Sequence, residues 1–250
     1  MATPNRKVLD LSHHNEISSM AEIVGAGIIG IIHKASEGIG CPDESYAGRR
    51  DEAKAVGLLW GAYHFATGSD VEGQVDDFLS RVGIDDETLY ALDWEDNPGG
   101  TKMSLEQARE FLELVEERTG RKAVLYSGNT VKEALGDRVD EYFGEHRLWL
   151  AQYSSDPEPQ ASWGEWWLWQ YSDGNNGPQP RGCPGVSGDV DTNSFDDADE
   201  DLIEQWSGFG EDDRPARDVP TVTLHVSSDK PVKLDVVLEG DNVTMADDDE

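Results

Sequence analysis

Residues 1–207 carry the pattern of a parallel α/β barrel, and a short appendage follows it. Length is the first reason: 250 residues can bury one sizeable core, and a single barrel of this kind commonly takes about as many. Second, apolar, β-prone runs recur at 8–11, 28–33, 58–65, 89–94, 123–126, 148–153 and 167–171. Such near-continuous runs suit strands covered on both faces. Third, segments with helical spacing separate the early runs, and strand-helix-strand repetition marks parallel βα units.

In chain order, VLDL at 8–11 opens the series and is followed by Ser-His-His-Asn, and IIGIIH at 28–33 is the second strand. Helical spacing over 43–56 stops at Gly57, the run 58–65 follows, and a second helix is predicted over 71–82 with Gly83 as its stop. The fourth run, LYALDW, precedes the clearest helix, 104–119. There Ser104 and Gln107 make a capping-box pattern, Leu105, Ala108, Phe111, Leu112 and Val115 form an apolar stripe, and Gly120 comes next. After about residue 145 the runs are separated by Ser, Asp, Pro and Gly with little helical period, which predicts closing strands joined by loops.

Residues 208–220, GFGEDDRPARDVP, read as a linker. Within 221–250, TVTLHVSSDKPVKLDVVLEG alternates as two short strands would, and an acidic tail ends the chain. An isolated hairpin is marginal in water, so this appendage is expected to pack on the barrel or a partner, or to be poorly ordered.

Composition excludes several functions. With 52 acidic and 20 basic residues the formal net charge is -32, opposite to what phosphate contacts require, so nucleic acid is a poor partner. The longest apolar stretch, 24–32, is far short of the ~20 residues of a membrane span, and the first residues do not resemble a secretory leader. A protein without membrane insertion or an export signal of its own, made in the cytoplasm, is expected. Cys41 and Cys183 form neither a disulfide framework nor a zinc spacing. Two reduced thiols are expected, with a bridge left open if their loops meet.

The chemistry concentrates at strand ends, where parallel barrels collect reactive groups. Asp10, Asp93, Glu95 and Asp191 all fall at or near such ends. Asp93 and Glu95 are two apart on the predicted strand 89–94, so both point to one face, with α-carbons roughly 6 to 7 Å apart, and Trp94 points to the other. Two close carboxylates resist ionising together, which leaves an acid beside an anion. That pairing suits cleavage of a glycosidic bond. The plainer alternative is a strand end bearing two exposed acids. Tyr63, Tyr126, Tyr153, Trp169 and Tyr171 add aromatic rings at strand ends, and sugar faces pack on such rings. Asp10, His33 and His64 could supply metal ligands, yet no HExxH pattern accompanies them, and no metal is expected. No GxSxG motif or Gly-rich phosphate loop is present.

The blocks VLDLSHHN, HKASEG, GLLWGAYHF, LDWE, AVLYSG, LWLAQY, WQYS and GDVDTNSF, in this order over residues 6–206, resemble the glycoside hydrolase family 25 lysozymes, the Chalaropsis-type N-acetylmuramidases. The resemblance implies an irregular TIM-like (β/α)5(β)3 barrel. It also implies cleavage of peptidoglycan between N-acetylmuramic acid and N-acetylglucosamine, with no cofactor. On the matching motifs, Glu95 takes the place of the general acid and Asp93 that of the carboxylate assisting the substrate's acetamido group. Asp10 and Asp191 match the two further acids, and Lys34, Tyr63, Tyr126, Gln152 and Trp169 fall at positions expected near the sugar.

Residues 208–250 resemble no wall-anchoring repeat of the family, and the charge is unusual for an enzyme approaching an anionic polymer. The leading expectation is a muramidase, a phage lysin released by a holin. It would act as a monomer, with any assembly made through the appendage. The alternative is a virion-associated or wall-binding protein that uses the same barrel to recognise glycan. A chitinase-like hydrolase is disfavoured, because the DxxDxDxE run is absent.

Overall fold

The computed structural model of the chain describes residues 4–207. The linker and appendage expected at 208–250 lie outside the described residues. In chain order the elements are β1 (Arg6–Leu11), β2 (Glu16–Ile17), α1 (Met20–Gly25), β3 (Gly30–Glu37), β4 (Cys41–Pro42), α2 (Tyr46–Ala55), β5 (Leu59–Phe65), α3 (Val71–Val82) and β6 (Leu89–Asp93). There follow α4 (Leu105–Thr119), β7 (Val124–Ser127), α5 (Asn129–Leu135), α6 (Glu141–Gly144), β8 (Leu148–Ala151), β9 (Leu168–Ser172), β10 (Val186–Ser187), β11 (Asp191–Ser194) and α7 (Asp199–Gln205).

Strands β1, β3, β5, β6, β7, β8 and β9 pair in parallel in that order, and β11 closes the ring antiparallel to both β9 and β1. Five strand-helix units are thus followed by three strands joined mainly by loops, the expected (β/α)5(β)3 plan. β4 folds back on β3, and β2 with β10 forms a small separate ribbon.

Local chemistry sets the element ends. Ser104 caps α4 and Gln107 returns the bond, while Gly120 ends the helix in the left-handed region at φ 69°. The helix expected over 43–56 starts only at Tyr46. Asp43 instead accepts from the Ser45 N–H and hydroxyl, at 3.0 and 2.6 Å, and holds a turn there. The sequence reading did not identify α1, α5, α6 and α7, which span at most two turns and so show no resolvable stripe.

Strand alternation builds two apolar layers. Leu9, Ile31, Trp60, Tyr90, Leu92 and Leu125 face outward onto Ile23, Phe78, Phe111, Leu112 and Phe143 beneath the helices. Val8, Ile32, Leu89, Ala91, Val124 and Leu168 face inward and fill the lower barrel. Leu202 and Trp206, from α7 and just after it, join that inner cluster and form its floor. The Trp206 indole donates to Trp60 O at 2.8 Å. Its ring lies so close to β3 that a Cβ on Gly30 would meet Cη2 at 2.5 Å, which explains a glycine in mid-core. Cys41 is exposed and Cys183 buried, both as free thiols. Among the described residues no helix is long and apolar enough to cross a membrane.

Candidate active site

At the carboxyl ends of the parallel strands the inward positions turn polar. Asp10, Tyr63, Asp93, Tyr126, Trp149, Gln170 and Asp191 from the barrel strands line a cleft of about 450 Å3, together with Glu95 and Tyr153 from the loops after β6 and β8. Antiparallel closure matters here: the register pairs Asp10 of β1 directly with Asp191 of β11. All four sequence-predicted acids therefore line one cleft.

Glu95 arrives differently from the period-two expectation, because β6 ends at Asp93. Beyond it, the Trp94 N–H donates to Tyr126 O at 3.0 Å and Trp94 O accepts from the Ser127 hydroxyl at 2.8 Å. Those bonds carry the chain one residue past the ladder, so Glu95 reaches the cleft from a loop. Trp94 turns outward as expected: its indole donates to Met103 O at 2.9 Å, and its ring stacks on Phe143 at 6.0 Å. Asn97 anchors the loop, donating to Glu37 Oε1 at 3.0 Å and accepting from the Gly99 N–H at 2.8 Å.

The five residues predicted near the sugar divide. Tyr63 and Tyr126 line the cleft. Gln152 lines an adjoining groove of about 820 Å3 that also includes Glu95, Asp96, Tyr126, Asn129 and Tyr153, and it accepts from Lys132 Nζ at 2.7 Å. Lys34 is buried outside the set of cleft-lining side chains, pairs with Glu37 and sits 4.9 Å from the Phe65 ring centroid. Trp169 corrects the sequence reading: it is 0% exposed, donates to Gln152 O at 2.7 Å and packs on Trp166 and Tyr171. Gln170 points inward on β9, so its neighbour Trp169 must point outward.

The candidate metal set also separates. His33 stacks on Trp60 and His64 on Phe111, both in the outer layer, while Asp10 faces inward. Burial pushes each imidazole down to about 4 and holds it neutral. His33 bonds to Lys34 O at 2.7 Å, and His64 bridges Ser36 and Gln74 at 2.9 and 3.1 Å.

Gln170 and Asn193 were not singled out by sequence reasoning. Gln170 Nε2 donates to both Asp10 oxygens at 3.0 and 3.1 Å, and its Oε1 accepts from the Tyr126 and Tyr153 hydroxyls, each at 2.9 Å. Asn193 Nδ2 donates to Asp10 Oδ2 at 2.8 Å, and its Oδ1 accepts from the Trp149 indole at 2.6 Å. The available signal was spacing: Asn193 lies two residues beyond Asp191 and shares its face.

Burial and mutual repulsion raise the acids. Glu95 is pushed up to about 7, by burial first and then by Asp10 and Asp96. Asp191 rises to about 9 through burial and then Asp10, and Asp10 to about 6 through burial, opposed by its amide donors. Asp93 is held well above the carboxylate range by burial, then by Glu95 and Asp10, with Lys34 pulling the other way. At neutral pH the cleft keeps protons that free carboxylates would have lost.

The family model for glycosyl hydrolases family 25 matches residues 9–179, a span that stops short of Asp191. Lysozyme M1 of Streptomyces globisporus is 31% identical over 202 residues, 75% of this chain and 66% of that protein, so the chain spans just under two thirds of that relative. Among solved structures, the bacterial lysozyme from Streptomyces coelicolor aligns with a TM-score of 0.72 at 29% identity, covering 82% of this chain and 99% of that one. A family GH25 lysozyme from Aspergillus fumigatus aligns with a TM-score of 0.65 at 28% identity, covering 81% and 99%. With the ring topology and the acid-lined cleft already placed, these matches show that the chain belongs to glycosyl hydrolase family 25.

Proposed function

We propose that the protein is a lysozyme that hydrolyses the β-1,4 bond between N-acetylmuramic acid and N-acetylglucosamine in bacterial peptidoglycan. One observation carries the reading: Glu95, whose carboxyl is pushed up to about 7, lines both the deep cleft holding Asp93 and the adjoining groove. A glycan with one sugar in each would place its bridging oxygen beside a group that still holds a proton.

Asp93 Oδ1 is buried without a hydrogen-bond donor. The N–H of a substrate 2-acetamido group would supply one, and a bond to the charged form favours the carboxylate. Asp93 then orients the acetamido oxygen toward the anomeric carbon. Glu95 gives its proton to the leaving oxygen as the glycosidic bond breaks and the acetamido oxygen closes on that carbon. The Glu95 carboxylate next takes a proton from the water that opens this intermediate, which restores the acid. Tyr63 and Tyr126 offer ring surface along the path.

Mass spectrometry of fragments from a defined peptidoglycan tests the proposal. Fragments with N-acetylmuramic acid at the reducing end are expected from the wild type and not from Glu95→Gln. Equal release by both proteins overturns it, and binding without cleavage by the wild type would favour the glycan-recognition alternative. A role in host lysis is proposed on the family resemblance: a phage lysin that reaches the wall through a holin. Co-expression should lyse a sensitive host only when a holin is present.

A further inference from the structure

We propose that Gln170 and Asn193 are positioning residues that hold Asp10 as the standing anion of the cleft, against which Glu95 keeps its proton. The inference rests on the lysozyme reading for its kinetic consequences, though the charge on Asp10 can be measured without any substrate.

At Asn193 one partner can play a single role. The Trp149 indole can only donate, so the oxygen of Asn193 must face it and the Asn193 NH2 must face Asp10 and Val8 O. Gln170 takes the orientation that suits an ionised Asp10, since an acceptor-only carboxylate requires the NH2 side and the two hydroxyls are free to donate to the oxygen. Its NH2 spans both Asp10 oxygens, and its oxygen takes the Tyr126 and Tyr153 hydroxyls. Asp10 thus receives N–H bonds from two amides, and Asn193 cannot turn round because the indole offers it a donor alone. Bonds of that kind stabilise the anion and leave a protonated Asp10 little use for its own hydrogen.

The other three acids have no such support. Asp93 Oδ1 has no donor at all. Asp191 stands opposite Asp10 in the β1–β11 register and shares a carboxyl–carboxyl hydrogen bond with it that lowers Asp10 and raises Asp191, and Glu95 stands on its loop. The groups facing Asp10 across the cleft are Tyr63 of β5, Asp93 and Glu95 at the end of β6, Tyr126 of β7, Tyr153 after β8 and Asp191 of β11. Lys34 of β3 is the cation of this surround, and its ammonium is paired with Glu37. The anion is therefore balanced by amide N–H groups and by protons on its neighbours. The titration order agrees: Asp10 ionises near 6, below Glu95 near 7 and Asp191 near 9.

The kinetic test compares pH profiles of kcat/KM on peptidoglycan for wild type, Gln170→Met, Asp10→Asn and the double variant. Loss of the Gln170 donors should raise the proton affinity of Asp10, weaken its hold on the Glu95 proton, and move the alkaline limb down by roughly half to one pH unit. Asp10→Asn should move it at least as far, and adding Gln170→Met to that variant should move it no further. A residue that only supports the fold would lower kcat and leave the limb in place. An unmoved limb in Gln170→Met, or a full extra shift in the double variant, overturns the proposal. Infrared difference spectra of wild type against Asp10→Asn at pH 7 need neither Gln170 variant nor substrate. Loss of an ionised carboxylate band is expected, and loss of a protonated carboxyl band overturns the assignment. Failure of the lysozyme reading would appear separately, as absent fragments from the wild type.

Discussion

The lower and upper halves of the barrel interior are built by the same strands with the same alternation, yet they are opposites. Below, Val8, Ile32, Leu89, Val124 and Leu168 pack against Leu202 and Trp206. Above, inward positions further along those strands include Asp10, Asp93, Tyr126 and Gln170. The lower half supplies stability, about 1.5–3 kcal/mol for each large apolar side chain fully buried. The upper half spends it by keeping carboxylates out of water. The site is therefore possible because an apolar floor lies further down the same strands.

That contrast can be broken from either end. Glu95→Gln should reduce peptidoglycan cleavage by about 10² to 10⁴, the usual range for a lost general acid, without lowering Tm. Reducing-sugar release and thermal unfolding on one preparation check both halves of that statement. Trp206→Ala should do the reverse, costing about 3–5 kcal/mol in denaturant unfolding and leaving kcat near wild type where the variant is folded. A large drop in kcat with an unchanged midpoint would sink the idea of a purely structural floor.

The pH dependence of stability sharpens the comparison further. Asp191 has a folded pKa of about 9 against 3.8 unperturbed. Below about pH 4 both folded and unfolded chains hold this proton, and no penalty exists. Between that point and about 9 only the fold holds it, so stability falls as pH rises. Asp191→Asn should therefore raise Tm progressively across this window and change it little at pH 4; an offset equal at both ends would contradict the linkage. The smallest effect belongs to Asp96, exposed, paired with Lys102 and one of the charges raising Glu95. Asp96→Asn should move the alkaline limb of activity down by a few tenths of a unit, and less at high salt.

The sequence was most readable where the cause was local. The capping box at Ser104, the glycine stops and the apolar runs name most of the βα units, because each depends on neighbours a few positions away. The Asp93 and Glu95 pair was readable for a partly different reason than the real one, since Glu95 reaches the cleft through bonds made around Trp94 after the strand has ended. Trp169 shows the limit of reading aromatic residues one at a time: which face of β9 is inward is set by where the ring closes. Spacing alone placed Asn193 on the face of Asp191, but the bonds from Asn193 and Gln170 to Asp10 could not be read, because Gln and Asn do not declare their partners. The floor was invisible because α7 begins in a run of acids that reads as solvated surface.

Closure between β1 and β11 also sets a timetable. Asp10 and its donor Asn193 are 183 positions apart in the chain. At about 5–20 residues per second, roughly ten to forty seconds of translation separate them. Until the later strand leaves the ribosome, β1 has one open edge, Asp10 lacks Asn193 and Asp191, and the floor has not been made. An unfinished chain that lacks β11 and α7 thus carries no assembled cleft, and whatever chemistry the cleft performs waits for those late residues.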